Sequence, residues 1–113
     1  FHCSLMTSAQ EKMSEILAEA VIEQPVIPIV SNVTASTTMQ PRQIRENLVK
    51  QITGTIRWRE SVIHMHGLGV QCFLEVGPGK VLSNLIKRSI KGVEQFSTGE
   101  VKEIYSFRDR HNV

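Results

Sequence analysis

Cysteine is scarce, aspartate scarcer still, and no long apolar run occurs in these 113 residues. The two cysteines, Cys3 and Cys72, do not form a C-x-x-C pair, so they make neither a disulfide framework nor a zinc motif, and a reducing cytoplasm is the expected setting. The longest uncharged apolar stretch, 26 to 33, has prolines inside and beside it. It falls far short of the roughly 20 residues a membrane-spanning helix needs, so a soluble protein without a membrane partner is expected. Basic residues exceed acidic ones by only 2 and are scattered, which argues against nucleic acid as a partner. The chain opens on Phe1 instead of a methionine and contains no basic leader followed by an apolar stretch and cleavage site, so a break in a longer protein is the expectation for that start. No G-x-S-x-G nucleophile elbow occurs, so a hydrolase-type serine is missing from these residues.

What is present suits a single globular unit, 1–113: 41% of the residues are hydrophobic and 21% charged. Ser8 and Glu11 have capping-box spacing, and Ala9, Met13, Ile16, Leu17, Ala20 and Val21 recur at helical spacing, predicting a helix over about 9–23 that Pro25 ends. Residues 26–33 read as a short buried strand disturbed by Pro28, and 34–40 as a loop. Pro41 opens a second helix carrying Ile44, Leu48, Val49 and Ile52. Trp58, Val62 and Met65 mark a third that stops at Gly67. Residues 71–76 form a strand, Gly77-Pro78-Gly79 a turn, and a fourth helix follows with Val81, Leu82, Leu85, Ile86 and Ile90 on its buried side. One more strand is expected over 103–107. Alternation of helices with short strands indicates an α/β architecture. The few strands expected here would make a poor sheet by themselves, which again suggests part of something larger.

Few residues advertise chemistry on their own. His2 stands beside Cys3, but an isolated histidine is usually structural, and neighbours in sequence seldom point at each other. Glu75-Val76-Gly77-Pro78-Gly79-Lys80 looks superficially like a phosphate loop. The Walker spacing needs four residues between the glycines and a Ser or Thr after the lysine, so a tight strand-to-helix turn is the better reading. His64 and His66 lie two apart on a helix and face different directions, which excludes a metal pair at i, i+4. Ser31-Asn32 ends a strand, where α/β folds place functional groups and ordinary turns also place polar residues.

Taken together, four segments carry a resemblance. Phe-His-Cys-Ser-Leu-Met at 1–6, Pro-Val-Ile-Pro-Ile-Val-Ser-Asn-Val at 25–33, Gln51 followed by Trp58, and Phe-Leu-Glu-Val-Gly-Pro-Gly-Lys-Val-Leu at 73–82 stand in register. The chain to about Ile90 resembles the C-terminal portion of the malonyl-CoA:acyl carrier protein transacylases and of the related acyltransferase domains of fatty acid and polyketide synthases. The resemblance implies an α/β-hydrolase-like acyltransferase core whose nucleophile-bearing part lies outside these residues, with helices alternating with short parallel strands. His2 matches the catalytic histidine, which takes and returns a proton for a serine nucleophile, as imidazole readily does near neutral pH. Its other ring nitrogen would be held by the backbone carbonyl of Gln51, in a chain whose single aspartate is Asp109. Phe1 matches a bulky aromatic that limits room for an α-methyl branch, implying selectivity for malonyl.

The activity implied is transfer of malonyl from malonyl-CoA to the phosphopantetheine thiol of acyl carrier protein in fatty acid biosynthesis. The partners would be malonyl-CoA and acyl carrier protein, with no bound cofactor, no metal, and a monomer when intact. The present chain alone would be inactive. A piece of a polyketide synthase acyltransferase domain, or a non-catalytic remnant with a structural or binding role, are the alternatives. After Lys91 the resemblance offers nothing for the tail.

Overall fold

A helix leaves its first N–H groups and last carbonyls without partners inside the helix, and the side chains recruited to meet those groups explain much of this fold. The computed structural model describes every residue, Phe1–Val113. It divides into two units, Phe1–His64 and Met65–Val113. No helix is long and apolar enough to cross a membrane.

In the first unit a 3₁₀ turn, Ser4–Met6, leads into α1, Thr7–Glu19. The expected capping box at Ser8 is not what starts this helix. Thr7 lies at its first position, its hydroxyl donating to the Ser4 carbonyl at 2.5 Å, and the flanking Met6 makes no side-chain cap. The helix also stops well before Pro25. Ala20 turns extended, and its carbonyl accepts a 2.8 Å hydrogen bond from Arg45, which replaces the helical donor.

Residues 26–33 contribute only a short strand, β1, Ile29–Ser31, starting directly after Pro28. Its antiparallel partner β2, Ser36–Thr38, lies within the stretch expected to be loop. Polarity misleads there, because a hairpin edge with solvent on one side tolerates Ser and Thr, and β-branched Thr suits the extended backbone. The connection closes with the Ala35 N–H on the Ser31 carbonyl at 2.8 Å and with Ala35 itself in the left-handed region, φ 50°. This pair is antiparallel, a local departure from the short parallel strands expected. Helix α2, Pro41–Lys50, opens on its proline as expected, a position where the missing N–H costs nothing.

Helix α3, Trp58–Gly67, contains Val62, which is fully buried. Beyond it, β3, Cys72–Glu75, and α4, Val81–Ser89, occupy the expected places. A further strand, β4, Glu94–Ser97, pairs with β3 in parallel, Cys72 beside Glu94 and Glu75 beside Ser97, completing a β3–α4–β4 unit. With Phe96 its only large apolar side chain, β4 has no readable alternation, and pairing with β3 defines it.

The Gly77-Pro78-Gly79 turn has both glycines at positive φ and is crossed closely by Gly99, where a Cβ would sit 3.2 Å from the Gly79 nitrogen. The strand expected over 103–107 is instead part of a helix, α5, Val101–His111. A capping box between Glu100 and Glu103 satisfies donors at its start, and Asn112 ends it in the left-handed conformation, so local caps override the β preference of Ile104, Tyr105 and Phe107. Of the apolar face expected for α4, only Ile86 is buried, at 5% exposure; Val81, Leu82 and Leu85 are exposed.

Glu103 is the electrostatic centre of the second unit. It accepts from Lys80 at 2.9 Å, from the Ser97 hydroxyl at 3.0 Å and from the Glu100 N–H at 3.1 Å. The Lys80 ammonium, helped by Ser97 and the Glu100 N–H, outweighs desolvation and holds its carboxyl down to about 2. A carboxyl depressed in the folded state stabilises the fold above its unfolded value of about 4.3 and loses that contribution as the pH falls through the folded value. Urea unfolding at stepped pH is therefore expected to show stability falling between about pH 4.3 and 2, with a shallower fall in Glu103→Gln. Ile86→Ala is expected to cost about 2–5 kcal/mol in the same assay. Val81→Ala, at a site 69% exposed, is expected to stay within about 0.5 kcal/mol.

Candidate active site

The last carbonyls of α2 point out of its C-terminus, and two side chains from the start of the chain meet them. Gln10 of α1 donates its amide to the Val49 carbonyl at 3.1 Å. His2 places Nδ1 2.8 Å from the carbonyl oxygen of Gln51. A carbonyl can only accept, so Nδ1 carries the hydrogen, and in the neutral ring Nε2 keeps its lone pair. The pair joins residues 49 positions apart in sequence.

The backbone at His2 is unusual as well. Its φ is 59°, a region that few residues other than glycine enter and that costs of order 1–3 kcal/mol. This conformation coincides with the short contact to Gln51, and His2 is exposed, so its free nitrogen is open to an incoming group. Gln51 itself is half-buried and closes α2 through its N–H on the Asn47 carbonyl at 3.0 Å. Its backbone, and not its side chain, makes the contact with His2.

Phe1 is 99% exposed. Cys3 works through its backbone, where the carbonyl accepts from the Met6 N–H at 2.9 Å and sets the 3₁₀ turn that starts beside His2. Ser31 and Asn32 serve the hairpin. The Ser31 hydroxyl accepts from the Val33 N–H at 3.3 Å, and the Asn32 carbonyl accepts from the Arg57 N–H at 2.9 Å. Arg57 also reaches the Thr34 carbonyl at 3.1 Å while paired with Glu60, strapping the hairpin loop to the start of α3. A cavity of about 100 Å³ lies between the hairpin and α2, lined by residues including Val30, Ser31, Asn47 and Gln51. Ligand pockets run to about 300–1,000 Å³, so this one is too small for an acyl thioester.

In the second unit the phosphate-loop resemblance is resolved by Glu75. Its carboxylate accepts from the Leu82 N–H at 3.1 Å and from the Ser83 N–H and hydroxyl, each at 2.8 Å. Partial burial pushes this carboxyl up, and the hydrogen bonds from Ser83 and Leu82 outweigh it, leaving the group below the ordinary carboxylate range. The N-terminus of α4 thus already holds an anion belonging to the chain. The signal is a glutamate closing a strand just before a Gly-Pro-Gly turn, and it is legible only once the strand and helix are both placed.

No family model matches the chain. Among curated proteins, the malonyl CoA-acyl carrier protein transacylase of Synechocystis is 32% identical over 106 residues, 94% of this chain and 36% of that protein. The crystal structure of an acyl-carrier-protein S-malonyltransferase from Bartonella henselae superposes with a TM-score of 0.92 at 33% identity, covering all of this chain and 36% of that one. A second similar structure, a malonyl-transacylase in complex with a type II PKS acyl-carrier protein, has a TM-score of 0.88 at 30% identity over 96% of this chain and 35% of its own. The fold is that of part of an acyltransferase core. The chain belongs to the malonyl CoA-acyl carrier protein transacylase family and spans about a third of the length of the curated relatives it matches.

The geometry at His2 makes a direct expectation. Long-range ¹H–¹⁵N correlation spectra at a pH where the ring is neutral are expected to show His2 as the Nδ1–H tautomer; the Nε2–H tautomer would contradict the contact with Gln51.

Proposed function

We propose that these residues supply the general base and acid of a malonyl-CoA:acyl carrier protein transacylase, and that residues 1–113 are a C-terminal portion of its acyltransferase domain. The observation carrying this reading is the 2.8 Å contact between His2 Nδ1 and the Gln51 carbonyl, which leaves Nε2 free beside a family-matched segment. A serine from outside these residues gives its proton to Nε2 as its oxygen attacks the malonyl thioester. The protonated imidazole then returns the proton to the departing coenzyme A sulfur. In the second half the phosphopantetheine thiol of the carrier protein loses its proton to Nε2 as its sulfur takes malonyl from the serine, and the imidazolium gives that proton to the departing serine oxygen. The imidazolium formed in each half faces the carbonyl end of α2, the sign of helix end that favours a cation.

In this reading Gln51 acts through its backbone and plays the part an aspartate plays in serine protease triads. Phe1 forms one wall of the acyl site and favours malonyl over branched extender units, the remaining walls coming from the rest of the enzyme. Malonyl-CoA is the donor, acyl carrier protein the acceptor, and no resident cofactor is required. The intact enzyme is monomeric and works in the cytoplasm in fatty acid biosynthesis. A polyketide carrier as acceptor is the second reading, favoured by the similarity to the transacylase captured with a type II PKS carrier protein.

The test uses the complete enzyme containing this segment, assayed for malonyl transfer to each type of carrier. His2→Ala is expected to lower kcat by about 10²–10⁴-fold, the range of a positioned acid–base group. Gln51→Ala, which keeps the carbonyl, is expected to leave kcat within a few-fold of the parent. The 113-residue chain alone is expected to transfer nothing. Activity in the complete protein that survives His2→Ala would overturn the assignment, and a complete protein without transfer activity would support the non-catalytic remnant.

A further inference from the structure

The two-stranded pairing of the second unit sets Cys72 on β3 directly beside Glu94 on β4, and the last turn of α5 brings His111 to the same place. Cys72 Sγ lies 3.7 Å from His111 Nε2. A ligand atom from each of the three residues lies within 4.8 Å of the others. Cys72 and His111 are 39 positions apart in sequence and share no motif spacing, which is why composition and cysteine spacing point to no metal site.

We propose that Cys72 Sγ, His111 Nε2 and the Glu94 carboxylate form a binding site for a divalent cation of the zinc type, which ties α5 to the strand pair. Three features carry the assignment. Zinc–sulfur and zinc–nitrogen bonds of about 2.3 and 2.0–2.1 Å at a tetrahedral angle separate the two ligand atoms by roughly 3.6 Å, close to the spacing present without any rearrangement. The imidazole is also pre-set: Nδ1 lies 2.9 Å from the Phe107 carbonyl, so it carries the hydrogen and Nε2 offers its lone pair to the sulfur side. The ring is held by Phe96 and Phe107, with centroids at 5.1 and 4.4 Å. Finally, the donor set is a thiolate, an imidazole and a carboxylate, a combination suited to zinc and unsuited to magnesium or calcium.

Binding forms a sulfur–metal bond and releases the Cys72 proton to solvent. Glu94 shares one oxygen with Arg110 at 2.6 Å, and its second oxygen remains for the cation. Thiolate and carboxylate neutralise the 2+ charge, and water fills the fourth position.

Cobalt(II) is the probe, added to the complete, reduced protein. One equivalent is expected to raise a thiolate-to-cobalt absorption in the near ultraviolet that Zn²⁺ then bleaches. Cys72→Ser should abolish it and Cys3→Ser should not. His111→Gln and Glu94→Gln should keep a band and weaken cobalt binding by at least about 10-fold. In the unaltered protein, Zn²⁺ is expected to slow alkylation of Cys72, read by peptide mass, and this readout needs no folded variant. No band in the unaltered protein, a band that survives Cys72→Ser, or alkylation of Cys72 at the same rate with and without Zn²⁺ overturns the site. None of these readouts depends on malonyl transfer.

Discussion

Backbone groups left over at helix ends are the constraint on which this structure turns. Every helix exposes carbonyls at one end and N–H groups at the other, and each buried or half-buried end must find partners or lose the free energy of a hydrogen bond. At the C-terminus of α2 the partners are Gln10 and His2. At the N-terminus of α4 the partner is Glu75, and at that of α5 the Glu100–Glu103 box. The chemistry of the first unit grows from this requirement: the residue that closes α2 through its N–H also offers the carbonyl that fixes the tautomer of His2. Orientation of the imidazole thus needs no acidic side chain, and a chain with one aspartate can carry it.

Helices with a clear apolar rhythm or a helix-opening proline are legible in the sequence, α2 and α3 above all. The strand–turn–helix at 72–89 is legible because Gly-Pro-Gly interrupts two patterns of different period. What escapes are elements whose existence depends on a neighbour. The hairpin strand Ser36–Thr38 has no apolar alternation and is held by Ile29–Ser31. The strand Glu94–Ser97 is held by Cys72–Glu75. The tail reads as a strand because three β-prone side chains outweigh a capping pair in the sequence, although in the folded chain the caps decide.

The candidate site divides along the same line. His2 and Gln51 come together through a resemblance and not through spacing, since a separation of 49 positions carries no local signal. The buried face expected of α4 follows from periodicity, yet only Ile86 meets other atoms closely enough to be excluded from water. Periodicity reports which face a helix can bury; what lies opposite that face is a property of the rest of the molecule.

The carboxylate of Glu75 in the mouth of α4 has a consequence for how such loops change over time. A glycine-rich turn ahead of a helix needs only its free N–H groups to become a phosphate cradle, and here those groups are already engaged by the preceding strand. The helix start therefore carries its own anion, supplied by the strand that leads into the turn. Replacing Glu75 with a small neutral residue would leave the Leu82 and Ser83 N–H groups without their anion, while Lys80 beside them stays paired with Glu103.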